Sequence, residues 1–496
     1  MINTTNCTGK VLNSLTNFPS LGCENTNLVD KLVSTLLIIS PLLQHYKGIL
    51  FNAGICALIL CLPYVCLKLL FRLRSLQWKN VLVVLPLVLF QVFRVLAHGT
   101  SFMEVAHGAV LCGYFLAIAL GGINLKYISY SSYLVAMAAG IGIIIQSICY
   151  YFFGFHLQLV ATELLLEESH AWVKLAQTGI IGVTGAVSAF YRPSAFFLEP
   201  SHMLLYFIPN LFLLMLSLEM NWIKRISAVI LSVGLILSTS GMGIALIAGI
   251  WLLQLGFSKD KSNILRIKHL FNIQNVLRCV AFVVVFAVIA ISVPFMRYSI
   301  MRIFIGNRAV NAIIAAEEAQ KAAELAQMGV TLRDPDAELE ENNDGEQNTE
   351  EKSEAAKEAE KLAAEKAEVA KEAAKLAEEN AGSTAVSGRI ERALSLIRYR
   401  MTGLQYLVGT SDSVDGVNFN LPGFFATVYK YGLVGTLLSY AFYVYCAVDG
   451  KGAYRWMAII ILGVSFFSAH THGTFYMLFY VLMLADGVTS HRSSAE

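Results

Sequence analysis

Charge is scarce in this sequence. Only 15% of its 496 residues are Asp, Glu, Lys or Arg, where a soluble domain carries about a quarter. With 56% hydrophobic residues and a mean hydropathy of +0.60, that shortage excludes an ordinary water-soluble domain and points to lipid as the solvent. Apolar and polar residues do not alternate with a period of two, which excludes a β-barrel. No GxxxxGK[ST] motif occurs, which excludes a nucleotide-driven pump. The apolar stretches hold no row of carboxylates for a proton relay, and the two halves show no matching interrupted helices of an inverted-repeat transporter. Nine cysteines are few and scattered. None forms a CxxC or a His/Cys pair with metal-ligand spacing, so they read as packing residues, and neither metal nor cofactor is expected. The first 27 residues are polar, so no cleavable signal peptide is expected.

What the chain has in abundance is long apolar stretches. Hydrophobic runs of about 18 or more residues, each able to cross ~30 Å of hydrocarbon, recur along it. The reading is an all-α polytopic membrane protein with about twelve spans, near 28–44, 48–71, 80–97, 105–122, 127–155, 202–219, 223–239, 241–257, 278–295, 423–447, 454–470 and 473–488. Cationic loops orient it. Lys68, Arg72, Arg74 and Lys79 lie between spans two and three, and Lys224 and Arg225 between six and seven. Lys259, Lys261, Arg266, Lys268 and Arg278 lie between eight and nine, and Lys451 and Arg455 between ten and eleven. With twelve spans all four loops fall on one side, which is expected to be cytosolic along with both termini. Segments 156–201 and 296–422 then face outward. The expected organisation is an N-terminal bundle over 1–295, the large outer loop 296–422 and C-terminal helices over 423–496.

The outer loop carries an unusual insertion at 307–386. Of the chain's 37 basic and 35 acidic residues, 8 and 20 fall within 317–379, which leaves 29 basic against 15 acidic in the rest. The body is therefore basic and the insertion acidic. Residues 354–379 consist of strong helix formers with Glu–Lys pairs at i,i+3, and only Leu362, Val369 and Leu376 make a thin heptad seam. Residues 309–328 are similar, and 333–353 lack apolar periodicity. A solvated helical arm or a two-helix hairpin, without a catalytic role, is the reading.

Four segments gather polar groups at the outer face. RPSAFFLEPSH, 192–202, brings Arg192, Glu199 and His202 beside Pro193 and Pro200, whose fixed angles would hold them at the membrane boundary. Arg192 and Glu199 either serve a substrate or pair with each other, since a charge at the bilayer edge needs a partner. SGRIERALSLIRYR, 387–400, sets Arg389, Arg392, Arg398 and Arg400 on an amphipathic helix with Ile390, Ala393, Leu394 and Ile397. Guanidinium groups suit phosphate, and they equally suit anionic headgroups. Asn418 and Asn420 precede the glycines Gly423, Gly432 and Gly435 of the tenth span. His470 and His472 sit in a short outer turn whose spacing reads as an interhelical connection rather than a metal site.

Taken in order, these segments resemble the Wzy-type polysaccharide polymerases, relatives of the O-antigen ligases. The resemblance covers about 150–440. It rests on an outer loop ending in Arg192 with Glu199-Pro200-Ser201-His202, then Ser238, Ser240 and Gly243 between two later spans. A second outer loop follows with Ser387, Arg389, Gly409 and Asn420, and with Tyr431-Gly432-Leu433-Val434-Gly435 leading into a helix. The chain departs from the pattern in having Asn418-Phe419-Asn420 where relatives carry a His-Asn pair, and in its acidic insertion. The resemblance implies a metal-independent, C-type-glycosyltransferase-like bundle in the bacterial cytoplasmic membrane. Its substrates would be glycan repeat units linked to polyprenyl diphosphate, with membrane lipids, a flippase and a chain-length regulator as partners and no nucleic acid. Arg192, Arg389 and Arg392 would bind the diphosphate, Glu199 or His202 would act as general base, and Asn420 and His470 are further candidates. A ligase using another acceptor, or a multispan transporter, is the alternative reading.

Overall fold

A computed structural model describes residues 27–48, 51–72, 78–98, 102–121, 123, 125–153, 157–166, 193–198, 200–215, 222–238, 240–256, 273–292, 297–298, 300–301, 310, 313, 386–410, 422–450, 452–468 and 474–489. Most of the insertion, together with Arg192, Glu199, Asn420 and His470, lies outside them, as do the side chains of Arg389 and Arg392.

Among the described residues the chain is helical, with only two isolated β-bridges. The helices are α1 (Leu28–Leu43), α2 (Ala53–Arg72), α3 (Trp78–His98), α4 (Phe102–Ala119), α5 (Leu125–Phe153), α6 (Pro200–Met215), α7 (Trp222–Leu237), α8 (Gly241–Gly256) and α9 (Ile273–Ser292). After the insertion come α10 (Val386–Arg400), the single turn α11 (Gln405–Val408), α12 (Gly423–Asp449), α13 (Gly452–Ser465) and α14 (Thr474–Thr489). Three of them, over Ala53–Phe71, Tyr127–Tyr150 and Gly423–Asp449, are long and apolar enough to cross a membrane, and shorter apolar helices accompany them. Large apolar side chains cover their outward faces, with Leu60, Leu70, Phe71, Leu82, Leu437 and Val448 each more than 60% exposed. Such a surface would aggregate in water and is at home in lipid. The chain is a helical membrane protein.

Two helices form the centre. Every described side chain from 202 to 215 on α6 and from 475 to 485 on α14 is buried. These helices are apolar on all sides, which suits a helix surrounded by other helices. They run parallel and side by side: Tyr476 donates to the His202 carbonyl at 3.3 Å, and Tyr480 donates to the Leu205 carbonyl at 2.9 Å. Tyr206 stacks on Phe479 at 4.5 Å between ring centroids. The other helices pack around this pair, α1, α4, α5, α12 and α13 all touching α14.

Polar residues join the helices where lipid offers no hydrophobic drive for their association. The Ser-Tyr-Ser-Ser-Tyr run of α5, buried except for the half-buried Tyr130, faces three neighbours. Ser131 bonds Thr35 of α1 at 3.1 Å, Ser132 accepts from Asn210 of α6 at 2.9 Å, and Tyr133 bonds Ser227 of α7 at 2.7 Å. At the same end of the bundle Asp30 of α1 pairs with Lys68 of α2 and accepts from Tyr64 at 2.9 Å. Arg455 donates to the Ala447 carbonyl at 2.9 Å and to that of Val448, so a cation covers the C-terminal end of α12.

Several local expectations change: Lys68, Arg72, Lys79, Arg225, Arg278 and Arg455, read as loop cations, lie on helices. Lys224, read as a loop cation, stands in the first turn of α7 and is only 2% exposed. The tenth apolar stretch, read as one uninterrupted span, is broken: Gly432 has φ 64 and ψ −168 in the middle of α12. That backbone region is open essentially to glycine alone.

Candidate functional site

The break in α12 exists because another piece of chain is pressed against it. Turn α11 follows α10 and docks on α12. Gly409, with φ 88 and ψ −177, ends the turn. A Cβ on Gly409 would lie 2.1 Å from the Lys430 carbonyl oxygen, and one on Gly432 would lie 2.3 Å from the Leu407 carbonyl. Both glycines are required by this backbone-on-backbone contact. Thr410 secures the contact, its amide donating to the Tyr429 carbonyl at 3.0 Å and its hydroxyl to the same oxygen at 3.2 Å. The break would otherwise leave such carbonyls unpaired within the bundle.

Helix α10 lies beside this junction and contacts α12. The sequence reading of a basic amphipathic helix over 387–400 agrees with the helix Val386–Arg400. Ala393 is 1% exposed and anchors it, with Met401 just beyond its end also buried, whereas Leu394 is half exposed rather than packed. Apolar Leu404, Tyr406, Leu407 and Val408 follow and are exposed, so cationic helix and apolar turn stand together at one surface.

The segment between α5 and α6 reaches the bundle at the same end. Residues 45–47 between α1 and α2 bridge to its first part. The Lys47 amide donates to the Leu164 carbonyl at 2.8 Å, and the Leu166 amide to the His45 carbonyl at 3.0 Å. Val160, Leu165 and Leu198 close over Tyr46 in a small apolar cluster, so both described parts of the loop meet there. Burial pushes the Tyr46 phenol up from its ordinary value, and a hydrogen bond with the Ala161 backbone draws it partly back. The segment 193–198 that connects Arg192 to Glu199 is a buried turn. Ser194 donates its hydroxyl to the Phe197 carbonyl at 2.8 Å, and Ala195 holds φ 52, a left-handed conformation that costs a residue with a Cβ about 1–2 kcal/mol.

Gln146 of α5 holds that turn in place. Its Nε2 donates to the Leu157 carbonyl at 2.9 Å while its Oε1 accepts from the Ala195 amide at 2.8 Å. One side chain thereby ties both described parts of the segment between α5 and α6 to the bundle. Gln146→Leu leaves two backbone groups unpaired, at about 1–3 kcal/mol. The melting temperature of the detergent-solubilised protein is expected to fall by several degrees, with loss of activity; an unchanged value would show that the clamp is idle.

His202 opens α6 beneath this turn and is 7% exposed. Its imidazole stacks on that of His45 at 5.2 Å and 11°, with Tyr476 of α14 at 6.0 Å. The start of α12 belongs to the same end, because the Gly423 amide donates to the Ser468 carbonyl at 2.7 Å and Phe424 stacks on Phe466 at 4.5 Å. Ser240, expected at a hairpin, caps α8 by accepting from the Gly243 amide at 3.3 Å.

Of the residues singled out in the sequence, the structure thus describes His202, buried among aromatic rings, and places Arg389 and Arg392 on α10. Arg192 and Glu199 are bracketed by the described Pro193, Leu198 and Pro200, all buried. His45, Gln146 and Tyr476 were not legible as site residues. They lie in or at the ends of apolar helices, and only their contacts with the segment between α5 and α6 and with His202 give them meaning. Among the described residues no three His, Cys, Asp or Glu side chains converge as ligands of a metal would. No family model, curated protein or solved structure matches the chain.

Proposed function

We propose that the protein polymerises glycan repeat units carried on polyprenyl diphosphate, at the outer face of the bacterial cytoplasmic membrane. The observation that carries this reading is the meeting at one end of the bundle of the basic helix α10, the α11–α12 backbone junction and the His202–His45 pair. In this reading α1 to α9 and α12 to α14 are the twelve spans, and the end bearing His202 faces outward. Lys68 and Arg455, at the opposite end, are on the cytosolic side.

The chemistry follows from that placement. The hydroxyl of the incoming repeat unit attacks the anomeric carbon of the growing chain. The bond from that carbon to the diphosphate oxygen breaks, and polyprenyl diphosphate departs with the electron pair. Arg192, Arg389 and Arg392 neutralise the charge gathering on the leaving group. The hydroxyl proton passes to Glu199 or to the neutral imidazole of His202. Asn420 and His470 remain further candidates for this site. The exposed apolar turn Leu404–Val408 beside α10 suits a substrate with a diphosphate head and a hydrocarbon tail. A ligase would share every part of this site and differ in its acceptor.

Deleting the gene in its host tests the reading. The expected result is surface glycan reduced to single repeat units, with lipid-linked units accumulating. Glycan of normal length in the deletion strain would refute it.

A further inference from the structure

Further polar groups lie inside the same end of the bundle, on α3 and α4 rather than on α6. Gln91 of α3 is 1% exposed, and its Oε1 has no hydrogen-bond partner among the described residues. The Nε2 of His107 on α4 is likewise buried and unpartnered among them. The two helices are in close contact here, a Cβ on Gly108 lying 3.9 Å from the Gln91 carbonyl oxygen. Arg94, one turn further along α3, is within electrostatic reach of His107. Buried polar atoms without partners are rare in folded proteins, because each has given up water for nothing.

Helix α14 joins this cluster to the site above it. Three consecutive residues of its first turn point three ways. Phe475 lies against the His107 ring at 5.6 Å, Tyr476 against His202 at 6.0 Å, and Met477 Sδ accepts from Gln91 Nε2 at 3.6 Å. With Nε2 on the sulfur, the amide oxygen is the atom left over. An amide oxygen repels an anion and needs a donor, whereas an imidazole nitrogen can donate. A group that donates to one and accepts from the other is a hydroxyl, and the Phe475 ring offers an apolar face beside His107. Gln91 is seven residues from the end of α3 and His107 five from the start of α4, so the cluster is recessed ~10 Å below the helix ends.

We propose that Gln91 and His107 form a saccharide subsite, which recognises hydroxyl groups of the glycan while the arginines hold its diphosphate. The assignment rests on the polymerase reading for the identity of the glycan, but saccharide binding is measurable without turnover.

The probe is the repeat-unit oligosaccharide released from its lipid by mild acid, titrated calorimetrically into the protein in nanodiscs. Gln91→Leu and His107→Leu are each expected to weaken binding about tenfold, the loss of one buried hydrogen bond. His107→Gln, which keeps a donor and an acceptor, is expected to recover most of it. Undecaprenyl diphosphate without sugar should bind all variants alike. Wild-type affinity for the oligosaccharide in both leucine variants would overturn the subsite, even if polymer is made. Loss of affinity for the sugar-free lipid as well would overturn it too, by showing a general defect. If the wild type makes no polymer yet binds oligosaccharide through these two residues, the subsite stands and the polymerase reading falls.

Discussion

Gly432→Ala is expected to leave little folded, active protein. At φ 64 and ψ −168 the residue occupies a region closed to side chains, and an added Cβ would lie 2.3 Å from the Leu407 carbonyl. Neither side of that contact is a flexible side chain, so relief requires moving α11 away from α12. The cost is about 3 kcal/mol, the upper end for such backbone strain. Gly409→Ala meets the Lys430 carbonyl oxygen at 2.1 Å and should behave the same way. Leu407→Ala, which trims an exposed side chain at the same contact, should be tolerated. Membrane protein level and melting temperature in detergent are the readouts. A stable, active Gly432→Ala protein would mean that the broken helix is not needed.

Arg192→Ala and Arg389→Ala are each expected to abolish polymer without lowering the amount of protein. Removing a guanidinium from a developing diphosphate charge costs roughly 3 kcal/mol, or about a hundredfold in rate. Lysine should rescue poorly, since it keeps the charge and loses the planar fork. Glu199→Gln separates two roles: it should match the arginine variants if Glu199 is the base, and resemble wild type if it only pairs with Arg192. Glycan length profiles, read beside membrane protein levels, report the outcome. Normal long polymer from Arg389→Ala would remove α10 from the mechanism.

The helices were legible because their apolar runs are long and their ends are marked. Glycines, prolines and cationic pairs punctuate the sequence, and the expected starts of α7, α8, α12 and α14 fall within one residue of the observed ones. Helix α2 was placed five residues too early, because the apolar run begins before the helix, which starts only after Lys47 bridges to Asn52. Tertiary contact decided what local pattern could not. Gly432 reads as one of several small residues in an apolar helix, and only the approach of Leu407 turns it into a break. Likewise Gln91, His107 and Gln146 look like isolated polar interruptions in α3, α4 and α5. Periodicity carries no sign that Gln146 spans two loop segments, or that Gln91 and His107 each bury a polar atom that no described residue pairs.

Reconstitution decides whether the protein polymerises glycan. Purified protein in liposomes is supplied with lipid-linked repeat units bearing a radiolabelled sugar, and the products are separated by size. The account predicts a ladder rising in steps of one repeat unit, with polyprenyl diphosphate released at each step and no ladder from Arg389→Ala. A single transfer to a non-glycan acceptor, or no transfer from well-folded protein, would contradict it.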